Sequence, residues 1–173
     1  MHASDRAVTV TCARRGCDTR ATWHDARDNR LPARGMCPFR ARRHLPDMQI
    51  GFRFDAGIVT VRFFGEYPFD DAKAAFLLVL PDMKAAQVRG TLVDVSESWS
   101  FLTRSQLELE SIGVFVASVR ELLGARMAIL ARTDMTYDLA CVVGASARKQ
   151  GLPVRIFRKE EAARAWLIDM IER

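Results

Sequence analysis

The chain has 173 residues, of which 49% are hydrophobic and 27% are charged, a composition typical of a globular protein with one main domain. No apolar stretch approaches the roughly 20 residues needed to span a membrane, and the polar, arginine-rich N-terminus does not resemble a secretory signal. We therefore predict no membrane span. Because four cysteines occur without an export signal, we also predict reduced thiols and a cytoplasmic location.

The net charge of +5 is confined to the first 47 residues, which contain ten arginines, five aspartates and no lysine or glutamate. Residues 48–173 contain sixteen basic and sixteen acidic side chains, so this part of the chain is neutral. A neutral domain lacks the basic surface that phosphate backbones require. We therefore predict no nucleic-acid binding through residues 48–173, and any such role would depend on the leader.

The leader, residues 1–47, contains only five Leu, Ile, Val or Phe residues, which are too few for a core. We interpret it as a disordered extension or a misassigned start, with the domain occupying residues 48–173. A zinc site is the alternative, since Cys12, Cys17, His24 and Cys37 would supply four ligands. Their spacings lack the paired C-x₂-C or H-x₃-H pattern of zinc sites. We predict no metal.

Strict alternation of apolar and polar residues begins at Met48 and predicts a strand over 48–54. Asp55-Ala56-Gly57 predicts a hairpin loop in which the glycine has a positive φ. An antiparallel second strand is expected over 58–64.

Helices and strands alternate after this hairpin. Pro68 marks a helix start and Pro81 its end. Further strands are predicted over 91–95, 127–131 and 154–157, and further helices over 103–123, 136–150 and 160–171. The order β-β-α-β-α-β-α-β-α predicts an α/β fold with a mixed, mostly parallel five-stranded sheet flanked by four helices.

Three stretches carry a family resemblance: the strand end Leu92-Val93-Asp94-Val95-Ser96 with the capped helix after it, the strand 126–131, and the ending 154–167. Residues 48–171 resemble a STAS domain, and more closely the SpoIIAA-like group of small bacterial proteins. The resemblance implies a non-enzymatic module that binds a protein partner, a nucleotide or an apolar ligand.

The resemblance also bears on regulation by phosphorylation. In anti-sigma-factor antagonists, a serine in an Asp-Ser-Ser-Gly-like turn is phosphorylated. The corresponding turn here spans 96–105 and lacks that pattern. Ser100 and Thr103 are the candidate phosphorylation sites within it.

Several signatures of catalysis are missing from residues 48–173. No histidine follows His44, and neither a phosphate-cradling G-x-x-x-x-G-K-[ST] motif nor a G-x-G-x-x-G motif is present. Cys141 lies in the middle of a predicted helix and is interpreted as a small buried side chain rather than a nucleophile. We predict a protein that is not an enzyme, has no catalytic residues and uses no cofactor.

Ligands of open α/β sheets bind beyond the carboxyl ends of the strands, which directs attention to three segments: 94–105, 132–137 and 158–159. The candidate partner- or ligand-binding residues within the first two are Asp94, Ser96, Ser98, Trp99, Ser100, Thr103, Ser105, Arg132 and Tyr137. The plainer alternative is that Thr103 and Ser105 cap a helix and that the other serines fill a loop. Trp99 either covers the edge of the core or forms a contact surface. Tyr67 is interpreted as an ordinary turn residue.

The leading hypothesis is a regulatory module that contacts a protein partner through the segment starting near Ser96, as anti-sigma-factor antagonist domains do. The alternative is a carrier or sensor of an apolar, lipid-like molecule, held between the sheet and the helices over 103–123 and 136–150. An apolar cavity there would favour this alternative. A hydrolase or transferase using paired carboxylates ranks last. A homodimer is compatible with each hypothesis.

Overall fold

The computed structural model describes residues 6–12, 20–25, 48–55, 57–85 and 87–169. These residues form an α/β domain built around one mixed sheet. The sheet begins, as predicted, with a hairpin of β3 (Met48–Asp55) and β4 (Ile58–Gly65), which pair antiparallel. Gly57 has the positive φ of 78° that the hairpin loop was expected to require.

Three parallel strands complete the predicted part of the sheet. β5 (Gly90–Ser98) lies beside β4, followed by β6 (Met127–Leu130) and β7 (Val154–Phe157). All four residues of β6 are apolar and buried, which is typical of a central parallel strand. The mixed, mostly parallel sheet of five strands expected from Met48 onward is therefore confirmed.

Two strands from the leader extend this sheet to seven strands. β1 (Arg6–Cys12) pairs antiparallel with β3, and β2 (Arg20–Asp25) pairs antiparallel with β1, which gives the order β2-β1-β3-β4-β5-β6-β7. These two segments can pair because the open edge of β3 supplies backbone partners that require no core. Disorder of the leader as a whole stays a prediction. Cys17 and Cys37, two of the alternative zinc ligands, lie outside the described residues. The misassigned start stays a prediction.

Six helical segments occur within the described ranges, against four predicted. They are α1 (Phe69–Ala85), α2 (Trp99–Leu102), α3 (Gln106–Ser118), α4 (Arg120–Leu123), α5 (Asp134–Lys149) and α6 (Glu160–Ile168). The helix predicted over 103–123 is preceded by the single turn α2 and is interrupted at Val119. The hydroxyl of Ser118 donates to the carbonyl of Phe115 there, a local bond that competes with continuation of the helix.

The predicted helix end at Pro81 is wrong. Pro81 lies inside α1, which continues to Ala85. Pro81 and Leu77 are both exposed, so the Leu77 carbonyl that loses its amide partner can be hydrated. Packing of the buried Met83 outweighs this break and holds the last turn in helical form.

The helices cover the two faces of the sheet unequally. The main core lies between the sheet and α1, α3, α4 and α5, and includes Phe76, Leu109 and Val143. A smaller core lies on the opposite face, where Ala163 and Leu167 of α6 pack against Leu92 and its neighbours. We call the first face the helical face and the second the α6 face.

Candidate ligand-binding site

The predicted site residues of β5 and α2 are divided between the two faces. Side chains alternate along a strand, so Asp94 and Ser96 lie on the α6 face with Leu92. Ser98, which follows a β-bulge in the β4–β5 pairing, and Ser100 of α2 contact Tyr67 on the helical face. The structure therefore does not bring the residues of this segment together into one site.

Ser98 and Ser100 are buried parts of the fold. Each is only 3% exposed. The hydroxyl of Ser98 shares a hydrogen bond of 2.8 Å with the hydroxyl of Tyr67, and the hydroxyl of Ser100 accepts a bond from the Tyr67 backbone amide. A kinase would reach Ser100 only if α2 separated from the sheet, whereas the second candidate, Thr103, is exposed.

Tyr67 is not the ordinary turn residue that the sequence suggested. It is buried, and its ring stacks on Phe63 with the ring centroids 5.5 Å apart. Burial raises the pKa of Tyr67 to about 12, against opposing effects of the Ser98 hydrogen bond and the charge of Arg104. Tyr67 thus joins the chain before α1 to the start of α2.

The N-terminus of α3 is already occupied by a carboxylate of the chain. Ser105 accepts a bond from the Glu108 amide, while the Glu108 carboxylate accepts bonds from the Ser105 amide and hydroxyl. These bonds, with those from Arg104, lower the pKa of Glu108. Ser105 therefore caps α3, as the plainer alternative expected, and the Glu108 carboxylate occupies the position at which an external anion would bind.

Asp94 lies at the centre of a charged group on the α6 face. It is 8% exposed, and one of its oxygens accepts the Ser96 amide at 3.0 Å. The other oxygen lies 3.8 Å from nitrogens of both Arg62 and Arg132. Arg62 also reaches Glu160, at 3.4 Å. These contacts satisfy the buried carboxylate from three sides.

Tyr137, the remaining candidate, lies on α5 near the end of β7. The guanidinium of Arg158 lies over its ring at 4.6 Å, and the same guanidinium contacts Asp134 at 2.7 Å. These contacts tie the start of α5 to the residue after β7. They account for Tyr137 structurally without bringing it to Asp94 or Trp99.

Trp99 does not cover the edge of the core. Its side chain is 72% exposed, although it follows the buried Ser98 directly. Leu102 on the same short helix is 41% exposed, and Leu107 at the start of α3 is 73% exposed. Three large apolar side chains on one segment therefore face solvent in the described part of the chain.

An apolar cavity lies on the helical face, between β4 to β6 and the helices α1, α2, α3 and α5. Its volume is about 80 Å³. Five of the chain's ten phenylalanines line it, together with aliphatic residues and one lysine. The lining residues are Phe63, Tyr67, Phe69, Ala72, Lys73, Phe76, Val93, Val95, Phe101, Ile112, Phe115, Val116, Met127, Ile129 and Val143.

This aromatic cavity has a buried floor and a half-buried mouth. Residues of the floor such as Val95, Phe101 and Met127 are at most 6% exposed. At the mouth, the partly exposed Phe69 and Phe115 meet edge to face, with ring centroids 6.2 Å apart. The cavity thus combines a buried apolar interior with an opening to solvent between α1 and α3.

The general position of such a cavity was predicted from the sequence, but none of its lining residues was. The alternative hypothesis placed an apolar ligand between the sheet and the helices over 103–123 and 136–150. The cavity lies against the sheet and α3, with Val143 of α5 at one side, but α1 contributes as much of the lining through Phe69, Ala72 and Phe76. Only the high phenylalanine content could have pointed to it.

No protein-family model matches this chain, and no curated protein is significantly similar to it. Over the described ranges, no helix combines the length and apolar character needed to cross a membrane. The same ranges contain no group of three or more His, Cys, Asp or Glu side chains arranged to hold a metal ion.

Proposed function

We propose that this chain is a non-catalytic cytoplasmic module that carries or senses a small molecule, whose apolar part enters the aromatic cavity. The single observation that supports this proposal is the cavity itself, with its buried apolar floor and open mouth. Small-molecule sites are usually preformed, concave and lined by apolar and aromatic side chains. The resemblance to STAS and SpoIIAA-like domains agrees with it, because apolar ligands are among those that the resemblance implies.

The apolar and aromatic lining of the cavity also favours a ligand energetically. An apolar group that enters the cavity recovers dispersion contacts that the lining residues otherwise lack.

The proposal is tested by filling the cavity from the protein side. Ala72 lines the cavity and is buried, whereas Ala74 lies on the same helix and is exposed. Ala72→Leu should stabilise the unliganded protein by roughly 1 kcal/mol and abolish binding of small apolar molecules. Ala74→Leu is the matched control, since it adds the same side chain to the same helix outside the cavity.

Two measurements decide the outcome. Mass spectrometry of the full-length chain purified from its host should detect an apolar species on the wild type and on Ala74→Leu but not on Ala72→Leu. NMR titration with a small alcohol should perturb the methyl groups of Val95 and Ile129. Equal retention of a ligand by all three proteins would place that ligand elsewhere and refute the cavity as its site.

The second candidate function is regulatory contact with a protein partner, through Trp99, Leu102 and Leu107. It is favoured by their exposure, since large exposed aromatic side chains often anchor protein interfaces. This surface resembles in position the segment through which anti-sigma-factor antagonists act. Ser100 is excluded from it, because its hydroxyl is buried against Tyr67.

This second function is tested with a double variant, Trp99→Ala with Leu102→Ala. The control is Leu77→Ala with Leu78→Ala, which removes exposed leucines from α1. Affinity purification from the host should lose a specific partner only with the first variant, while light scattering reports whether a second copy of the chain is that partner. Retention of every partner by both variants would eliminate this surface.

A further inference from the structure

We propose that the ligand of the aromatic cavity carries a negative charge beside its apolar end, and that Lys73 binds this charge at the mouth. The ligand class is a short aliphatic carboxylate. This inference rests on the proposed function, because it requires that an apolar group occupies the cavity. It adds the polarity, the size and the anchoring residue of the ligand.

Among the described residues that line the cavity, Lys73 is the one with a charged side chain. It is exposed, and its ammonium lies 5.3 Å from the centre of the Phe115 ring, which forms part of the mouth. Within the described residues it makes no ion pair, so its charge is compensated only by this ring and by solvent. A carboxylate at the mouth would give it an ionic partner beside an apolar wall.

Arg104 adds to the positive potential of the same region. Its guanidinium lies 5.8 Å from the Phe69 ring and 5.9 Å from the Tyr67 ring, and both rings line the cavity. Its donors are engaged by the Tyr67 carbonyl at 2.8 Å and by Glu108 at 3.3 Å. Arg104 is therefore a fixed structural cation, while Lys73 is the one available to a ligand.

The two cations also exclude an otherwise reasonable ligand class. Sites rich in aromatic rings often bind quaternary ammonium groups through the negative faces of the rings. Here the faces of Phe115, Phe69 and Tyr67 are already covered by cations of the chain. A cationic ligand would meet repulsion at the mouth, whereas an anionic one meets attraction.

The cavity volume limits the apolar part of the ligand. A protein cavity of about 150 Å³ holds one benzene ring, which has six carbon atoms. A cavity of about 80 Å³ is roughly half that size and accommodates about three carbon atoms without rearrangement. Butanoate, with three carbons beyond its carboxylate, is therefore the appropriate probe.

The experiment compares three probes with one alkyl chain: butanoate, butan-1-ol and butylammonium. Each is titrated into the full-length wild type, Lys73→Met and Lys84→Met, and shifts of the lining methyl groups are followed by NMR. Lys73→Met keeps a long apolar stem and removes the charge. Lys84→Met is the matched control, because Lys84 is an exposed lysine on the same helix that does not line the cavity.

In the wild type and in Lys84→Met, we expect butanoate to bind roughly twofold to fivefold more tightly than butan-1-ol, as a partly exposed ion pair would give. Butylammonium should bind most weakly. Lys73→Met should lose this order while keeping its affinity for butan-1-ol. The preference for butanoate should also decrease as salt is added.

Two results would overturn the inference, but only the second would also refute the proposed function. If all three probes bind the wild type equally, or if Lys73→Met keeps the preference for butanoate, the ligand charge and the role of Lys73 are refuted while the cavity proposal stands. If no probe shifts the lining methyl groups of any protein, the inference and the proposed function are both refuted.

Discussion

The two faces of the sheet solve the problem of burying polar groups in different ways. On the helical face, the buried polar groups beside the cavity are neutral hydroxyls, and Tyr67 and Ser98 bond to each other. On the α6 face, the buried polar groups include a charged one, the carboxylate of Asp94, which is held by a backbone amide and two arginines. A neutral hydroxyl needs one partner, whereas a buried charge needs several.

This difference explains why residues adjacent in sequence do not share a site. Along β5, Val93 and Val95 face the aromatic cavity, while Asp94 faces the opposite side of the sheet. An apolar ligand therefore has no direct contact with the charged group. A substitution on the α6 face should therefore alter folding stability without altering ligand binding.

The largest expected effect is at Gly113, where α3 approaches α5 on the helical face. A Cβ atom on Gly113 would lie 2.5 Å from the Ser146 Cβ and 2.6 Å from the Val143 carbonyl oxygen. Because backbone and Cβ atoms cannot move aside easily, Gly113→Ala should lower the free energy of unfolding by about 3 kcal/mol. It should also enlarge the cavity. Urea denaturation measures the loss.

Gly144 provides the matched control on the partner helix α5. A Cβ there would meet the flexible end of the Ile156 side chain at 2.9 Å, which can shift. The gain in helix propensity offsets this contact, so Gly144→Ala should change stability by less than about 1 kcal/mol. Equal losses from both substitutions would show that the two helices are not packed as described.

The next largest effect is expected at Asp94 on the α6 face. Asp94→Ala leaves the Ser96 amide without its acceptor and leaves Arg62 and Arg132 without the carboxylate between them. We expect a loss of about 2 kcal/mol, and a smaller loss for Asp94→Asn, which retains an acceptor. Asp138→Ala, at an exposed position of α5, is the control.

Ligand binding is a second readout for Asp94→Ala, because Asp94 and the cavity lie on opposite faces of the sheet. Binding of butan-1-ol to Asp94→Ala should equal that of the wild type at a temperature where both are folded. Altered binding would mean that the charged group and the cavity are coupled through β5.

A smaller effect is expected at Tyr67. Tyr67→Phe keeps the ring and leaves the buried Ser98 hydroxyl without its partner, which should cost about 1 kcal/mol at neutral pH. The folded state raises the pKa of Tyr67 from 10.0 to about 12, so its contribution is complete below pH 10 and is lost as the pH rises towards 12. Between about pH 10 and pH 12, Tyr67→Phe should therefore lose less stability than the wild type.

The titration itself can be followed by tyrosinate absorbance. The chain contains two tyrosines, and a Tyr137→Phe background leaves Tyr67 alone. Its midpoint should lie near 12 in the folded protein and near 10 in urea. A midpoint near 10 in both conditions would contradict the burial of this hydroxyl.

Much of the fold could be predicted because its signals are local. The alternation after Met48 and the turn at Gly57 fix the hairpin, and the spacing of Ser105 and Glu108 fixes the start of α3. The two leader strands could not be predicted in this way. Their pairing depends on the open edge of β3, a feature of the assembled sheet rather than of the leader sequence.

The candidate site was less predictable than the fold, because a cavity is a gap in packing. The pattern of α3 marks Ile112 and Val116 as core-facing, but no pattern shows that they leave space beside Phe76 of α1. Lys73 carries no sequence signal either, since an exposed lysine on a helix is common. Asp94 was chosen because ligands of open α/β sheets bind beyond the carboxyl ends of the strands, but the structure places it in a network of ion pairs.

The smallest effect is expected at Glu160, the acid that Arg62 and Arg164 contact on the α6 face. Partial burial is the largest influence on its pKa and raises it. The hydrogen bond from Arg164 and the charges of Arg164, Arg62 and Arg132 together outweigh burial, so the pKa of Glu160 is lowered from 4.5. Its stabilising contribution is then present at neutral pH and is lost as the pH falls below about 4.5.

Glu160→Gln should therefore reduce stability at pH 7 by only about 0.5 kcal/mol, because these contacts are partly exposed, and should narrow the difference in stability between neutral and acid pH. Glu161→Gln, at the exposed neighbouring position, is the control. Urea denaturation at neutral and acid pH measures both variants. The two faces then differ in the sign of their pH dependence, since the helical face weakens in alkali through Tyr67 and the α6 face in acid through Glu160. If the stability of Glu160→Gln falls in acid as much as that of the wild type, other carboxylates cause the acid sensitivity.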